Sequence, residues 1–127
     1  MSQLQQYILS ALIFVLLDMV YFKVVAIPLF QRVVLNVQKE PLQFNMVGAV
    51  AAYLILIFGL NFFILNAPRP VPLWHAFLFG VVIYGTYEGT NYALFKNWSP
   101  LAALIDTVWG GILFALATFF VRRSVRL

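Results

Sequence analysis

Four long apolar segments alternate with short polar stretches along the chain. An α-helix rises about 1.5 Å per residue, so about 20 apolar residues cross the hydrocarbon core of a bilayer. Each segment has this length, and only short connections fit between them. The pattern predicts an all-α integral membrane protein with four transmembrane helices in a compact bundle. The predicted spans lie within a single membrane domain, 1–127, at about 7–27, 44–65, 73–95 and 101–121.

A short polar stretch between spans one and two carries a helical pattern of its own. It follows Pro28, which closes the predicted first span, and ends at Pro41. Its apolar residues recur at i, i+3, i+4 and i+7: Phe30, Val33, Val34 and Val37. This spacing is typical of a short amphipathic helix that lies at the membrane interface.

The remaining connections contain residues that stop and start helices. Alternating prolines in residues 67–72 predict an extended connector between spans two and three. Ser99 suits the N-cap of the fourth span, and Pro100 suits its first position.

Composition agrees with the membrane setting and excludes several kinds of site. The chain is 64% hydrophobic and 9% charged, so an ordinary soluble domain is excluded. It has no cysteine and one histidine, His75, which excludes thiolate chemistry and a multi-histidine metal site within one chain. No cofactor is predicted, and no metal is assigned.

The basic residues lie in the loops and at the ends of the spans. The net charge is +4, and this distribution indicates contact with the lipid bilayer and no nucleic-acid partner. Arg122, Arg123 and Arg126 favour placing both termini in the cytoplasm. The loop charges on the two faces are nearly equal, so dual topology stays open.

Three carboxylates interrupt the apolar segments. A charge at membrane depth costs about 2.5–3.5 kcal/mol on insertion scales, so such residues are functional candidates. Asp18 lies near the middle of span one, whereas Glu88 and Asp106 lie roughly 6–7 Å from the centres of their spans. Lys23 lies about 9 Å from the centre of its span. All four fall in the half of the bilayer away from the termini, which predicts one shared polar pocket.

The neighbours of these acids complete a candidate binding set for an ion, a proton or a substrate. Polar and aromatic residues form one stripe on span three, and a tryptophan shares a helix face with the acid of span four. Tyrosine and tryptophan rings also suit contact with an organic cation. The candidate site residues are Asp18, Lys23, Tyr84, Glu88, Asn91, Tyr92, Asp106 and Trp109.

The same residues also admit a structural interpretation. Glu88 and Asp106 can pair with Lys23 and the tyrosines simply to lock the helices together. His75 fits an interfacial residue, and the aromatic residues near span ends are typical membrane-interface anchors. These anchors are Tyr7, Trp74 and Trp98.

Several motifs together resemble a family of predicted membrane proteins, domain-of-unknown-function family 2177. They are Asp18 in the first span, the run from Tyr87 to Asn91, Lys96-x-Trp98, and Asp106-x-x-Trp109-Gly110. The likeness covers essentially the whole chain. It implies a four-helix membrane fold and emphasises the same acids, but it brings no activity.

Three function classes follow from these observations. The favoured one is a transporter or channel-like protein for protons, cations or a small cationic solute. Four short spans enclose little volume, so this function predicts a homo-oligomer. The alternatives are a structural or assembly partner of another membrane protein, and an intramembrane enzyme that acts on a lipid-like substrate.

Overall fold

The computed structural model describes residues 2–125, and every regular element in that range is a helix. The predicted all-α class is therefore confirmed. Arg126, part of the predicted arginine-rich end, lies outside the described residues. Five α-helices occur in order: α1 (Gln3–Tyr21), α2 (Ile27–Gln38), α3 (Met46–Gly59), α4 (Leu73–Leu94) and α5 (Pro100–Val125). Wider π-helical turns follow α1 and α3, at Phe22–Ala26 and Leu60–Leu65.

The first helix is longer than the sequence pattern predicts. α1, the π turn and α2 form one continuous helix, Gln3–Gln38, of 36 residues. Pro28 does not end it, because a wider π turn ends just before this proline and accommodates the missing N–H group. The predicted amphipathic segment is thus an extension of the first helix and not a separate element. The helix ends at Gln38, followed by Lys39 in the left-handed conformation and then Pro41.

Within residues 2–125, three helices are long and apolar enough to cross a membrane: Gln3–Gln38, Met46–Leu65 and Pro100–Ser124. α4 has 22 residues, but tyrosine, threonine, glutamate and asparagine side chains are concentrated in its second half. These polar side chains lower the mean hydropathy of α4, which is therefore not one of those three helices. α4 packs along α5 more extensively than any other pair of helices in the described range.

Glycines allow α4 and α5 to approach each other closely. A Cβ atom at Gly80 would lie 2.1 Å from the carbonyl oxygen of Gly110, so only glycine fits at this crossing. A Cβ atom at Gly110 would in turn lie 2.3 Å from the ring of Tyr84. Small residues at such crossings are typical of helix pairs within membranes.

A network of uncharged side chains joins α1 to the π turn after α3. The Asn61 amide donates to Ser10 Oγ at 2.9 Å and accepts from Gln6 Nε2 at 3.0 Å. Gln6 also donates to Asn66 at 2.8 Å, and Asn66 donates to Gln3 at 3.0 Å. Ser10 and Asn61 are fully buried. The first two membrane-spanning segments are therefore tied together by amide and hydroxyl groups near the N-terminal end of α1.

Side-chain N-caps precede α1, α3 and α5. The Ser99 hydroxyl accepts a hydrogen bond of 3.1 Å from the Ala102 N–H, and α5 begins at Pro100, which confirms both predictions. Asn45 caps α3 in the same way through the Gly48 N–H, at 3.2 Å. Ser2 and Gln5 form a capping box at the start of α1.

Candidate functional site

A cavity of about 550 Å³ lies between the first helix, α3 and α4. The three carboxylates that the sequence places at membrane depth, Asp18, Glu88 and Asp106, all line it. Tyrosines from three different helical segments line the same cavity: Tyr21, Tyr53 and Tyr84. Asp18 and Ser10 are eight residues apart, or about 12 Å along the helix, so the acidic cavity is distinct from the amide network.

Asp18 is held by one hydroxyl group and one indole group. Tyr53 of α3 donates a short hydrogen bond to Asp18 Oδ2. Trp109 of α5 donates to Asp18 Oδ1 through Nε1 at 3.0 Å. The carboxylate is buried, and both of its donors are uncharged.

Asp106 is held from the end of α1. The Tyr21 hydroxyl donates to Asp106 Oδ1 at 2.9 Å. The Tyr21 ring also stacks on Trp109, with the ring centroids 4.7 Å apart and the planes inclined by 6°. Tyr21 and Trp109 therefore form a stacked aromatic pair whose polar groups donate to Asp106 and Asp18.

Glu88 is the most deeply buried of the three acids, with an exposed fraction of 2%. The Trp98 indole, in the turn before α5, donates to Glu88 Oε1 at 3.0 Å. The Asp106 carboxyl lies close enough to interact directly with Glu88. Two carboxyl groups from neighbouring helices thus face each other beside the cavity.

Two polar groups at this site have no hydrogen-bond partner among residues 2–125. Asn91 lies one helical turn beyond Glu88, close to its carboxyl group, and the Asn91 amide nitrogen is buried without a hydrogen bond. The Tyr84 hydroxyl lines the cavity near Asp18 and Asp106 and makes no hydrogen bond in the described range. Buried polar groups are usually satisfied. The Tyr84 hydroxyl is therefore available to water or to a ligand in the cavity, whereas Asn91 does not line it.

Two of the predicted site residues lie away from this cluster. Lys23 is exposed and does not line the cavity. Tyr92 is 56% exposed and faces outward from α4. Within the part of the chain that the structure describes, none of the three carboxylates forms an ion pair. Of the pairings in the structural interpretation, a tyrosine donor is present at Asp106, namely Tyr21, whereas Lys23 pairs with none of these acids.

The acids are arranged around the cavity and do not form a compact cluster. Within residues 2–125, no three histidine, cysteine, aspartate or glutamate side chains are grouped so that they could hold a metal ion. The arrangement instead offers dispersed negative charge next to aromatic rings and hydroxyl groups. Such a surface can accept protons, or it can contact a cation larger than a single metal ion.

A comparison with protein families indicates the environment in which this site lies. Residues 3–122 match the family model described as "Predicted membrane protein (DUF2177)". The chain belongs to this family. Membership agrees with the helices that are apolar enough to span a bilayer, and the family description names no activity. No curated protein and no solved structure matches the chain significantly.

Three residues at the site were not among the candidates from the sequence. Tyr53 and Tyr21 donate to Asp18 and Asp106, and Trp98, interpreted as a membrane-interface anchor, donates to Glu88. Tyr53 interrupts an otherwise apolar run in the middle of span two, which was a usable signal. For Trp98 the sequence offered no such signal, because tryptophan near a span end is common at membrane interfaces.

Proposed function

We propose that the chain binds protons or cations at its three membrane-embedded carboxylates and carries them across the bilayer. The observation that supports this most strongly is the pairing of Asp18, Glu88 and Asp106 with uncharged donors around a shared cavity. Each carboxylate keeps acceptor sites that the observed hydrogen bonds do not use, because an ionised carboxylate offers about four. A cation or a proton in the cavity offsets the cost of holding the charges at membrane depth.

Alternate binding of a proton and a cation at the same carboxylates gives a simple transport cycle. A proton neutralises a carboxylate, and a cation neutralises it equally well, so the arrival of one favours the departure of the other. Glu88 and Asp106 support this exchange because they face each other, and one proton shared between them removes their mutual repulsion. No step in the cycle requires a covalent intermediate.

The membrane arrangement belongs to the same proposal. α4 crosses the membrane as the third of four spans, shielded by its long contact with α5. Both termini lie on the cytoplasmic face, with the arginines near the end of α5. A homo-oligomer completes the arrangement, because four short helices leave the cavity incompletely enclosed. The alternative, an assembly partner whose acids only join helices, is supported less well. The amide network around Asn61 already ties the first two spans without any charge.

Binding of a small cation to protein in lipid nanodiscs tests the proposal. Trp98 and Trp109 donate to Glu88 and Asp18, so their fluorescence reports on the site. We expect tetramethylammonium to change this fluorescence in the wild type, and Asp106→Asn or Glu88→Gln to weaken its binding at least tenfold.

Glu40→Gln is the matched control, because it removes one negative charge from an exposed residue that does not line the cavity. Its affinity should equal that of the wild type. If no variant alters binding, or if the acid variants change only thermal stability, the carboxylates serve to join helices and the proposal fails.

A further inference from the structure

The cavity beside the carboxylates has walls that are mainly apolar. Small, branched and aromatic side chains of the first helix and α3 line it: Ala26, Phe30, Val34, Ala49, Ala52 and Leu56. The carboxylates and the tyrosine hydroxyls supply its polar groups. The lining therefore has two chemically different parts, one charged and aromatic and one apolar.

The apolar part is open towards the outer surface of the helices. α2 and α3 line opposite sides of the cavity but scarcely contact each other. Ile55 lines the cavity although its side chain is 69% exposed. In a membrane, the surface outside α3 is in contact with lipid. A route therefore leads from lipid, between α2 and α3, to the carboxylates.

The loop side of the cavity is more closely covered than this lateral gap. Trp98, which lines the cavity, packs against Phe30 with the ring centroids 5.8 Å apart, and against Phe95 at 5.7 Å. Three aromatic rings, one of them from the turn that precedes α5, thus cover the carboxylates on the loop side. Entry between α2 and α3 requires no displacement of these rings.

The size of the cavity indicates the size of its occupant. About 550 Å³ is far more than a proton or a bare metal ion needs, since one water molecule takes up about 30 Å³ in the liquid. It falls within the range of about 300–1,000 Å³ that is typical of sites for small organic ligands. The carboxylates are also not grouped as metal ligands within the described residues.

We infer that the cation bound at this site is amphiphilic: an organic cation with a bulky apolar body that enters from the lipid between α2 and α3. The inference rests on the proposed function and specifies its substrate class. The positive charge lies among Asp18, Glu88 and Asp106, and the Tyr21 ring, which lines the cavity, adds a cation–π contact. The apolar body lies against the alanines and branched side chains of α2 and α3. The unpartnered Tyr84 hydroxyl remains for a polar substituent or water.

Two neighbouring alanines lie on different faces of α3 and allow a matched pair of variants. Ala52 lines the cavity, whereas Ala51 belongs to the opposite face of the same helix, beside Val47 and Leu54. Ala52→Phe therefore fills the apolar part of the cavity. Ala51→Phe adds the same side chain where it projects away from the cavity, and serves as its control.

The test measures binding of tetraphenylphosphonium and tetramethylammonium to wild type and both variants in nanodiscs, with empty nanodiscs to subtract partition into lipid. In the wild type we expect tetraphenylphosphonium to bind at least tenfold more tightly than tetramethylammonium. Ala52→Phe should weaken tetraphenylphosphonium binding at least tenfold, and by a larger factor than it weakens tetramethylammonium binding. Ala51→Phe should match the wild type for both cations.

The outcomes distinguish this inference from the function on which it rests. If tetramethylammonium binds in an Asp106-dependent way but tetraphenylphosphonium binds no more tightly, the proposed function stands and the amphiphilic substrate class is wrong. Equal effects of the two phenylalanine variants overturn the route along α3. If neither cation binds in an Asp106-dependent way, both proposals fail. Should Ala52→Phe not fold, the wild-type preference between the two cations, compared with Asp106→Asn, decides.

Discussion

Trp109 of α5 donates a hydrogen bond of 3.0 Å to Asp18 of α1, although the two residues are 91 positions apart in the chain. The same carboxylate accepts from Tyr53 of α3. Asp18 thus links three helices, and its orientation at the cavity depends on donors from two of them. The position of the acidic site is therefore a property of the whole bundle.

Replacing Trp109 with phenylalanine separates this hydrogen bond from ring packing. The variant keeps an aromatic ring against Tyr21 but loses the N–H group. Interhelical hydrogen bonds in membranes contribute about 0.6 kcal/mol on average and up to about 1.7 kcal/mol, and we expect a loss of that size in the free energy of unfolding. Unfolding in mixed micelles with increasing SDS measures it. Trp74→Phe is the control, because Trp74 is exposed; an equal loss there would contradict the assignment.

The crossing of α4 and α5 makes a second prediction. Gly80→Ala places a methyl group 2.1 Å from the Gly110 carbonyl oxygen, so the helices must separate. We expect destabilisation of about 1–3 kcal/mol, the usual range for overpacking, seen as a lower thermal midpoint in detergent. Gly89→Ala adds the same methyl group to the same helix where nothing lies within 4 Å. That variant should be neutral or slightly stabilised; a comparable loss in both would mean that helix packing at Gly80 is not the cause.

The amide network around Asn61 should contribute to thermal stability but not to cation binding. Asn61→Leu keeps a similar volume but removes one hydrogen bond each from the buried Ser10 and the half-buried Gln6. We expect a thermal midpoint several degrees lower, with the cation affinity of the folded protein unchanged, because the network is remote from the cavity. Thermal unfolding and fluorescence titration on one preparation measure both quantities. A large loss of affinity at unchanged stability would show that the network belongs to the site.

Much of the fold could be predicted because the hydrophobic pattern is strong. The segments around residues 44–65, 73–95 and 101–121 correspond closely to helices Met46–Leu65, Leu73–Leu94 and Pro100–Ser124. The predicted end of the first segment is wrong. The sequence predicts a helix stop at Pro28, but a π turn precedes this proline and the helix continues to Gln38. Sequence periodicity does not register one additional residue in a helical turn.

The candidate site was predictable in part for a physical reason. A carboxylate is so costly at membrane depth that Asp18, Glu88 and Asp106 stood out individually, and helical rise placed them in one half of the bilayer. Their partners were harder to find. Which aromatic residues donate to them depends on helix rotation and tilt, so Tyr53 and Trp98 could not be assigned from spacing along their own segments. The predicted depth of Lys23 is similar to that of the acids, but Lys23 is exposed and does not line the cavity.

The proposed exchange predicts that cation binding depends on pH. Protons and the cation compete for the same carboxylate oxygens, so the apparent cation affinity should fall as the pH is lowered. Fluorescence titration with tetramethylammonium at several pH values measures this. Glu40→Gln should follow the wild type, whereas Asp106→Asn should show a weaker dependence on pH. An affinity that does not change with pH would exclude competition at these groups.

Flux into liposomes tests the central claim most directly. Reconstituted wild type, Asp106→Asn and Glu40→Gln would be given an outward proton gradient, and tetramethylammonium uptake and internal pH would be followed together. We predict that wild type and Glu40→Gln exchange protons for the cation, and that Asp106→Asn, folded and inserted to the same extent, loses at least nine-tenths of the exchange. Equal rates in wild type and Asp106→Asn, or no flux above that of empty liposomes, would contradict transport through the carboxylates.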